Sequence, residues 1–425
     1  MDERLLALKG DILYSTDPKH IRTVKNGYLA CRGEKIAGVF NELPAGFERA
    51  EVLDFSDSLI IPGLVDLHIH APQFSFRGVG SDLQLLDWLN TYAFPEEMKF
   101  SDLDYAKESY AIFAEVLKTG YTTRASIFAT IHTPATLLLM DLFEETGLIT
   151  CIGKVNMDRN APKGLREKDA ETSLIDTKEW LSRASAYKNT RAILTPRFIP
   201  SCSDGLMLGL GGIAEGAGLP VQSHISENLA EISWVKELCP EASSYADAYD
   251  RMGMLGAPGR PAIMAHCVHS GPDERALLKR RGAFAAHCPE SNTCLASGIA
   301  PMRSFLEEGV NAGLGTDVAG GYSSSMMHTI AETVKVSKLR WRLLDESLAP
   351  LTFPEAFWLA TAGGGAFFGK VGKFEEGFEF DALVLDESTI MSMTRYSPEY
   401  RLERFAYLDE DRALKAKYVK GKRIL

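Results

Sequence analysis

Eight apolar runs of strand length recur along this chain, each followed by a longer, more polar or helical stretch. They occupy residues 61–70, 122–132, 150–158, 192–198, 220–224, 262–266, 283–287 and 310–317, spaced on average about 36 residues apart. Helical stretches intervene, among them 105–118, 171–187 and 273–281. Alternation this regular demands a parallel sheet covered by helices, and eight repeats predict an α/β chain folded as a (β/α)8, TIM-like barrel. The active site of such a barrel lies at the rim where its strands end.

The two ends of the chain differ in texture. Tyr28-Leu-Ala-Cys31 and Lys35-Ile-Ala-Gly-Val-Phe40 flank a turn at Arg32-Gly33-Glu34, and Glu51-Val-Leu-Asp-Phe55 follows. Phe380-Asp-Ala-Leu-Val-Leu385 and Ala416-Lys-Tyr-Val-Lys420 also read as short strands. A small β-sandwich domain built from residues 1–62 and 372–425 is therefore expected beside a barrel of residues 63–371. The insert at 83–100, with Trp88, Tyr92 and Phe94, reads either as a lid over the barrel mouth or as a satellite helix on its outside.

Composition removes some functions. With 46 basic against 57 acidic side chains and no basic cluster, nucleic acid is not an expected partner. No run approaches the roughly 18 apolar residues of a membrane span. Met1-Asp-Glu-Arg-Leu-Leu lacks the basic start of a signal peptide. Seven cysteines without close pairing read as reduced thiols. The expected setting is the cytoplasm, away from membranes.

The ends of the runs carry the chemistry. The first ends His68-Ile-His70, and alternation along a strand turns both imidazoles to one side. The fifth ends at His224, the sixth at His266 and the eighth at Asp317. In a closed barrel these side chains converge as a first-row metal site with a position left for water. His266 is either a fifth ligand or a hydrogen-bond partner of that water; the second role is preferred, because four ligands and water already fill the site. Asp317 can bind metal through one oxygen and accept a proton through the other. Glu227 precedes a helix opened by the capping sequence Asn228-Leu-Ala-Glu231, a position that suits a proton shuttle. Arg197, closing the fourth run, must meet an internal carboxylate or a polar ligand, since an unpaired buried arginine is costly. With Phe198 and Gln73 it suggests a flat, hydrogen-bonding heterocycle. His132 and His287 end runs but are not assigned as ligands, while His20, His269 and His328 read as ordinary. Residues 364–371 approach a phosphate-binding loop but end in Val371 where Ser or Thr is required.

This constellation resembles the amidohydrolase superfamily. Pro62-Gly-Leu-Val-Asp-Leu-His-Ile-His-Ala-Pro-Gln73, Phe128-Ala-Thr-Ile-His132, Thr195-Pro-Arg-Phe198, Ser223-His-Ile-Ser-Glu-Asn228 and Leu314-Gly-Thr-Asp-Val-Ala-Gly-Gly-Tyr322 are further similar to the guanine deaminases. The similarity runs over about residues 60–370. It implies one zinc per subunit, with iron accepted by the same donors, on His68, His70, His224 and Asp317, with His266 as the less certain ligand. It implies guanine held by Gln73, Arg197 and Phe198, with His224, Glu227 and Asp317 beside it. Glu227, Asp317 and His266 become the catalytic groups. The implied reaction is hydrolytic deamination of guanine to xanthine and ammonia by a metal-activated water attacking C2, in a homodimer. No lysine ends the fourth run, where binuclear relatives carry a carbamylated bridge; Arg197 stands there, which favours a single metal. Glu290, in His287-Cys-Pro-Glu-Ser-Asn292, replaces an expected neutral Asn, an extra acid near the rim that would tilt the choice of purine. The competing readings are the same barrel acting on a pterin, cytosine or triazine ring, and a non-enzymatic scaffold that keeps the fold.

Overall fold

The computed structural model describes residues 4–408 and 413–425; Met1, Asp2 and Glu3, part of the N-terminal reading, lie outside them. Four strands open the chain: β1 (Leu5–Asp17), β2 (His20–Arg32), β3 (Lys35–Phe40) and β4 (Glu51–Pro62). The barrel strands follow as β5 (Leu64–His70), β6 (Thr122–Phe128), β7 (Ile149–Gly153), β8 (Val155–Asn156), β9 (Thr190–Ala192), β10 (Thr195–Pro196), β11 (Val221–Ile225), β12 (Ala262–His266), β13 (Phe284–His287) and β14 (Asn311–Leu314). The chain ends in β15 (Ala382–Leu385), β16 (Leu414–Val419) and β17 (Lys422–Arg423).

The barrel strands pair in parallel as β5-β6-β7-β9, β8-β10 and β11-β12-β13-β14. Backbone hydrogen bonds complete the ring. Gln222 N–H donates to Leu194 O (2.9 Å) on one side; Asp317 N–H donates to His68 O (2.8 Å) and His70 N–H to Val318 O (3.1 Å) on the other. One buried cluster joins Val65 and Leu67 of β5, Cys151 of β7, Ile263 and Ala265 of β12, and Phe284 and Ala286 of β13. Those strands touch only because the sheet is closed, and their side chains fill the barrel as a packed core.

Some runs are shorter or more broken than the sequence suggests. Residues 61–70 split at Gly63: Ile61 and Pro62 finish β4 in the small sheet, and β5 begins at Leu64. A Cβ at residue 63 would collide with the Thr123 side chain, so only glycine lets the chain pass from one sheet to the other here. The third and fourth runs are each interrupted, as β7/β8 and β9/β10. Residues 122–132 end as a strand at Phe128, and His132 instead precedes the helix Thr133–Thr146. Thr133 and Pro134 open that helix, and proline at its start explains the early end.

The terminal strands form one seven-stranded sheet, β17-β16-β15-β4-β1-β2-β3, with β1 parallel to β4 and the other pairs antiparallel. The small sandwich is as expected, its two layers built from one sheet that curls back on itself. Its edge strand β3 turns back onto the segment leading into β15: Ile36 N–H donates to Phe378 O (2.8 Å) and Phe380 N–H to Glu34 O (2.9 Å). Leu8, Ile12, Leu29, Ile36, Phe380, Val384 and Tyr418 fill the interior. We propose the division of the chain at Gly63 and Gly372, with 1–62 and 372–425 as the β-domain and 63–371 as the barrel, on the strength of this separate core.

A buried ion pair and a buried lysine fasten the units together. Arg124 of β6 reaches Asp381 and Glu379 at 2.6 Å each. Lys417 of β16 donates to the carbonyls of Leu117, Lys118 and Gly120 at 2.8–3.1 Å, and so satisfies the carbonyl end of the helix Leu103–Thr119. Breaking a buried pair strands its partner charge. Arg124→Met is therefore expected to lower unfolding free energy by about 3–5 kcal/mol in urea titrations. Arg124→Met with Asp381→Leu should recover much of that loss; no recovery would mean that the arginine's packing, not its charge, holds the junction.

Candidate active site

At the barrel rim the predicted donors do meet. His70 Nε2 lies 3.2 Å from His68 Nε2 and 3.1 Å from His224 Nε2. Asp317 Oδ1 is 3.1 Å from His68 Nε2 and 3.4 Å from His70 Nε2. The β5–β6 register slips between Asp66 and Ile69, and this irregularity adjusts the aim of the histidine pair beyond simple strand alternation. Asp66, not singled out from sequence, braces it: its carboxylate accepts from His68 N–H and Thr316 N–H at 3.1 Å each and from the Thr316 hydroxyl at 2.6 Å. Asp317 lies three residues beyond β14, with φ 48°, and His266 ends β12 at φ 76°. Both sit in left-handed backbone, a strained setting at about 1–3 kcal/mol each that the surrounding structure enforces.

The chemistry of this donor set fits a divalent ion. Burial, then mutual repulsion with its neighbours, holds His70 and His224 well below the usual histidine range; burial also lowers His68. The rings are therefore neutral with lone pairs free. His224 Nδ1 lies 2.6 Å from the Arg197 carbonyl, so its proton sits there and Nε2 faces the cluster. Burial pushes Asp317 upward, but attraction to the imidazoles of His68 and His266, which charge as the pH falls, and hydrogen bonding with His68 outweigh it and hold the carboxyl far below its usual range. Cys288 also reaches this cluster, which the sequence reading did not anticipate. Burial keeps its thiol protonated, so it lacks the thiolate a metal prefers.

His266 and Glu227 face each other beside the cluster, Nε2 to Oε2 at 3.4 Å. His266 Nε2 is 3.8 Å from Asp317 Oδ2, and its Nδ1 is 2.9 Å from Asn292 Oδ1. Burial pushes the Glu227 carboxyl up to about 7 against the pull of His266. A carboxyl poised near neutrality can both give and take a proton. Asn228 does cap the helix Leu229–Leu238 with Glu231, as expected.

A cavity opens onto these groups, lined by Leu85, Trp88 and Leu89 of the insert and by Arg197, Phe198 and Gln73. The 83–100 insert is helical and roofs this cavity. It supplies the carboxylate that Arg197 requires: Glu97 Oε2 lies 2.5 Å from Arg197 Nη1 and Oε1 3.0 Å from Nη2. Gln73 Nε2 donates to the same Oε1 at 2.8 Å. Sequence alone left that partner unnamed, since nothing local ties Phe94-Pro-Glu-Glu97 to a strand a hundred residues away. Glu290 is the extra acid expected near the rim. It does not line the cavity; its carboxylate pairs with His328 Nε2 (2.7 Å) and accepts from Ser323 N–H (2.8 Å), bracing the loop after Asp317. His328 is thereby more than an ordinary surface residue. His287 is buried, with its pKa pushed down to about 3 by desolvation, and stands apart from the donor cluster.

Comparison with known proteins agrees with this geometry. The model of the amidohydrolase family matches residues 59–424. The guanine deaminase of Homo sapiens is 39% identical over 89% of this chain and 86% of its own length. That of Escherichia coli (strain K12) is 34% identical over 95% and 92%. The crystal structure of guanine deaminase from C. acetobutylicum, with guanine bound in its active site, superposes with a TM-score of 0.96 at 42% identity, covering 99% of this chain and 100% of the other. The chain belongs to the amidohydrolase family and, within it, to the guanine deaminases.

Proposed function

We propose that this protein hydrolyses guanine to xanthine and ammonia, and that the residues assembled at the barrel rim perform the reaction. The observation that carries this reading is the buried Arg197–Glu97–Gln73 frame facing the histidine–aspartate cluster across one cavity, in a chain of the guanine deaminase family. His68, His70, His224 and Asp317 would hold the ion, zinc by preference with iron as the alternative. When bound, such an ion lowers the pKa of a neighbouring water toward neutrality.

The rest falls to the chain's own side chains. Phe198 and Trp88 offer flat apolar surface to the ring. Arg197 keeps donors that Glu97 does not use and would donate to the C6 oxygen of guanine, with Gln73 at the ring edge. His224, Glu227 and Asp317 surround the reacting carbon. Asp317 and His266 would orient the water toward C2, and Asp317 would take its proton. Glu227 would protonate the ring nitrogen beside C2, making that carbon electrophilic; the water oxygen then bonds to C2. The Glu227 carboxylate then takes the hydroxyl proton of the addition product and passes it to the amine; the C2–N bond breaks as the C2 carbonyl forms, ammonia leaves, and the proton held by Asp317 returns to Glu227. The scaffold reading would require loss of the donor set, and every donor is in place.

No helix of the described residues is long and apolar enough to cross a membrane, and the seven cysteines are unpaired. Both support a cytoplasmic enzyme. A homodimer is supported by the exposed Leu339, Leu343, Tyr400 and Tyr407 on the adjoining helices Met326–Leu343 and Pro398–Leu408.

Ammonia release from a purine panel should favour guanine over adenine by about a hundredfold or more in kcat/KM, because adenine presents a donor to the Arg197 guanidinium; better turnover of adenine would sink the assignment. Glu227→Gln should cut kcat by about 10³-fold while elemental analysis finds the same metal content, and metal loss would instead make Glu227 a ligand. Purified protein should carry about one metal per subunit, with chelation abolishing ammonia release and zinc restoring it. Activity that survives complete metal removal would contradict the proposed ligand set.

A further inference from the structure

Glu97 is fully buried yet does not line the cavity; it sits behind the two side chains that do. Its two oxygens grip the Arg197 fork at 2.5 and 3.0 Å, and one of them also accepts from Gln73. Phe94, one turn earlier on the same insert helix, places its ring 5.1 Å from the guanidinium carbon. The Gln73 amide is locked at both ends, since its Oε1 accepts from Ala319 N–H at 3.2 Å. Flipping that amide would set its oxygen against the carboxylate and its NH2 against an N–H, so one orientation is enforced. Arg197 keeps one hydrogen on each Nη for a ring, but as half of a closed ion pair its positive charge is largely cancelled.

We propose that Glu97 is a specificity-determining positioning residue, which neutralises Arg197 and orients Gln73 so that the cavity takes a purine ring in its neutral form. The inference rests on the functional reading above and deepens it. Replacing the 2-amino group of the ring by a carbonyl creates a more acidic product. Xanthine readily gives up a ring proton in mildly alkaline solution, whereas guanine and hypoxanthine stay mostly neutral. A bare guanidinium in a buried site would attract the product anion, because a unit charge in a low-dielectric cavity acts strongly over a few ångströms. With Glu97 in place that attraction is cancelled, and the product is the weaker ligand. The insert thus does more than cover the site: it supplies the charge that lets product go.

The test uses two rings that keep the C6 carbonyl and release no ammonia. Calorimetric titration of the metal-loaded enzyme at about pH 8 with xanthine, mostly anionic, and hypoxanthine, mostly neutral, gives a ratio of dissociation constants. The wild type is expected to bind hypoxanthine more tightly. Glu97→Gln, which keeps the shape but drops the charge, should move the ratio toward xanthine by about tenfold or more, while Glu97→Asp keeps the wild-type preference. A ratio within about twofold of wild type in Glu97→Gln, with both rings weakened together, would reduce Glu97 to a structural prop and overturn the proposal. Should Glu97→Gln not fold, the wild type and Glu97→Asp still decide, because tighter binding of xanthine by either contradicts it. Ammonia release from guanine is followed alongside. Its absence in the wild type would overturn the functional reading, whereas turnover with an unmoved ratio overturns only the role of Glu97.

Discussion

Crowding of lone pairs at one buried point governs this structure. The His70 nitrogen stands 3.1–3.2 Å from those of His68 and His224, with a carboxylate oxygen beside them. Phe128 backs them, its ring centroid 4.6–4.9 Å from those of His68, His70 and His224. Neutral donors pressed together in an apolar shell repel unless a cation shares them. Three of the four are tied in place, His68 through its backbone N–H to Asp66, His224 through its ring to the Arg197 carbonyl, and Asp317 through its N–H to the His68 carbonyl. The barrel closes through the same bonds, so ring closure and donor placement are one event. That coupling explains why the loop after β14 tolerates left-handed backbone at Asp317.

The barrel and its donors were legible in the sequence because they depend on local pattern. A strand buried on both faces reads as an apolar run, and a donor at its end needs only the barrel to find its partners. The boundaries were less legible. The break at Gly63 arises from a collision with Thr123, sixty residues away, and the early stop at Phe128 from a helix that starts at Thr133. Partnerships were least legible. Arg197 announced its need for a carboxylate through burial alone, but the identity of Glu97 depended on how the insert folds over the mouth. The partner of Glu290 was hidden for the same reason: its position near His287 says rim, and only the fold shows that it pairs with His328.

Recognition and metal holding share backbone, and this sets how the two can vary. Under the proposed function Arg197 would read the ring with its side chain, while its carbonyl orients His224. Gln73 stands three residues from His70, and its amide oxygen accepts from Ala319, two residues after Asp317. A displacement of the ring-binding frame would therefore carry the donors with it, preserving the distance between the activated water and the carbon it attacks. Enzymes gain most of their rate from holding such distances fixed, and positioning groups are most effective when their own supports are rigid. Glu97 is the one member of this frame that comes from outside the barrel strands and their end loops. Substitution there can change which charge the cavity prefers while the metal ligands keep their own supports, so ring selection can be altered without dismantling the metal site.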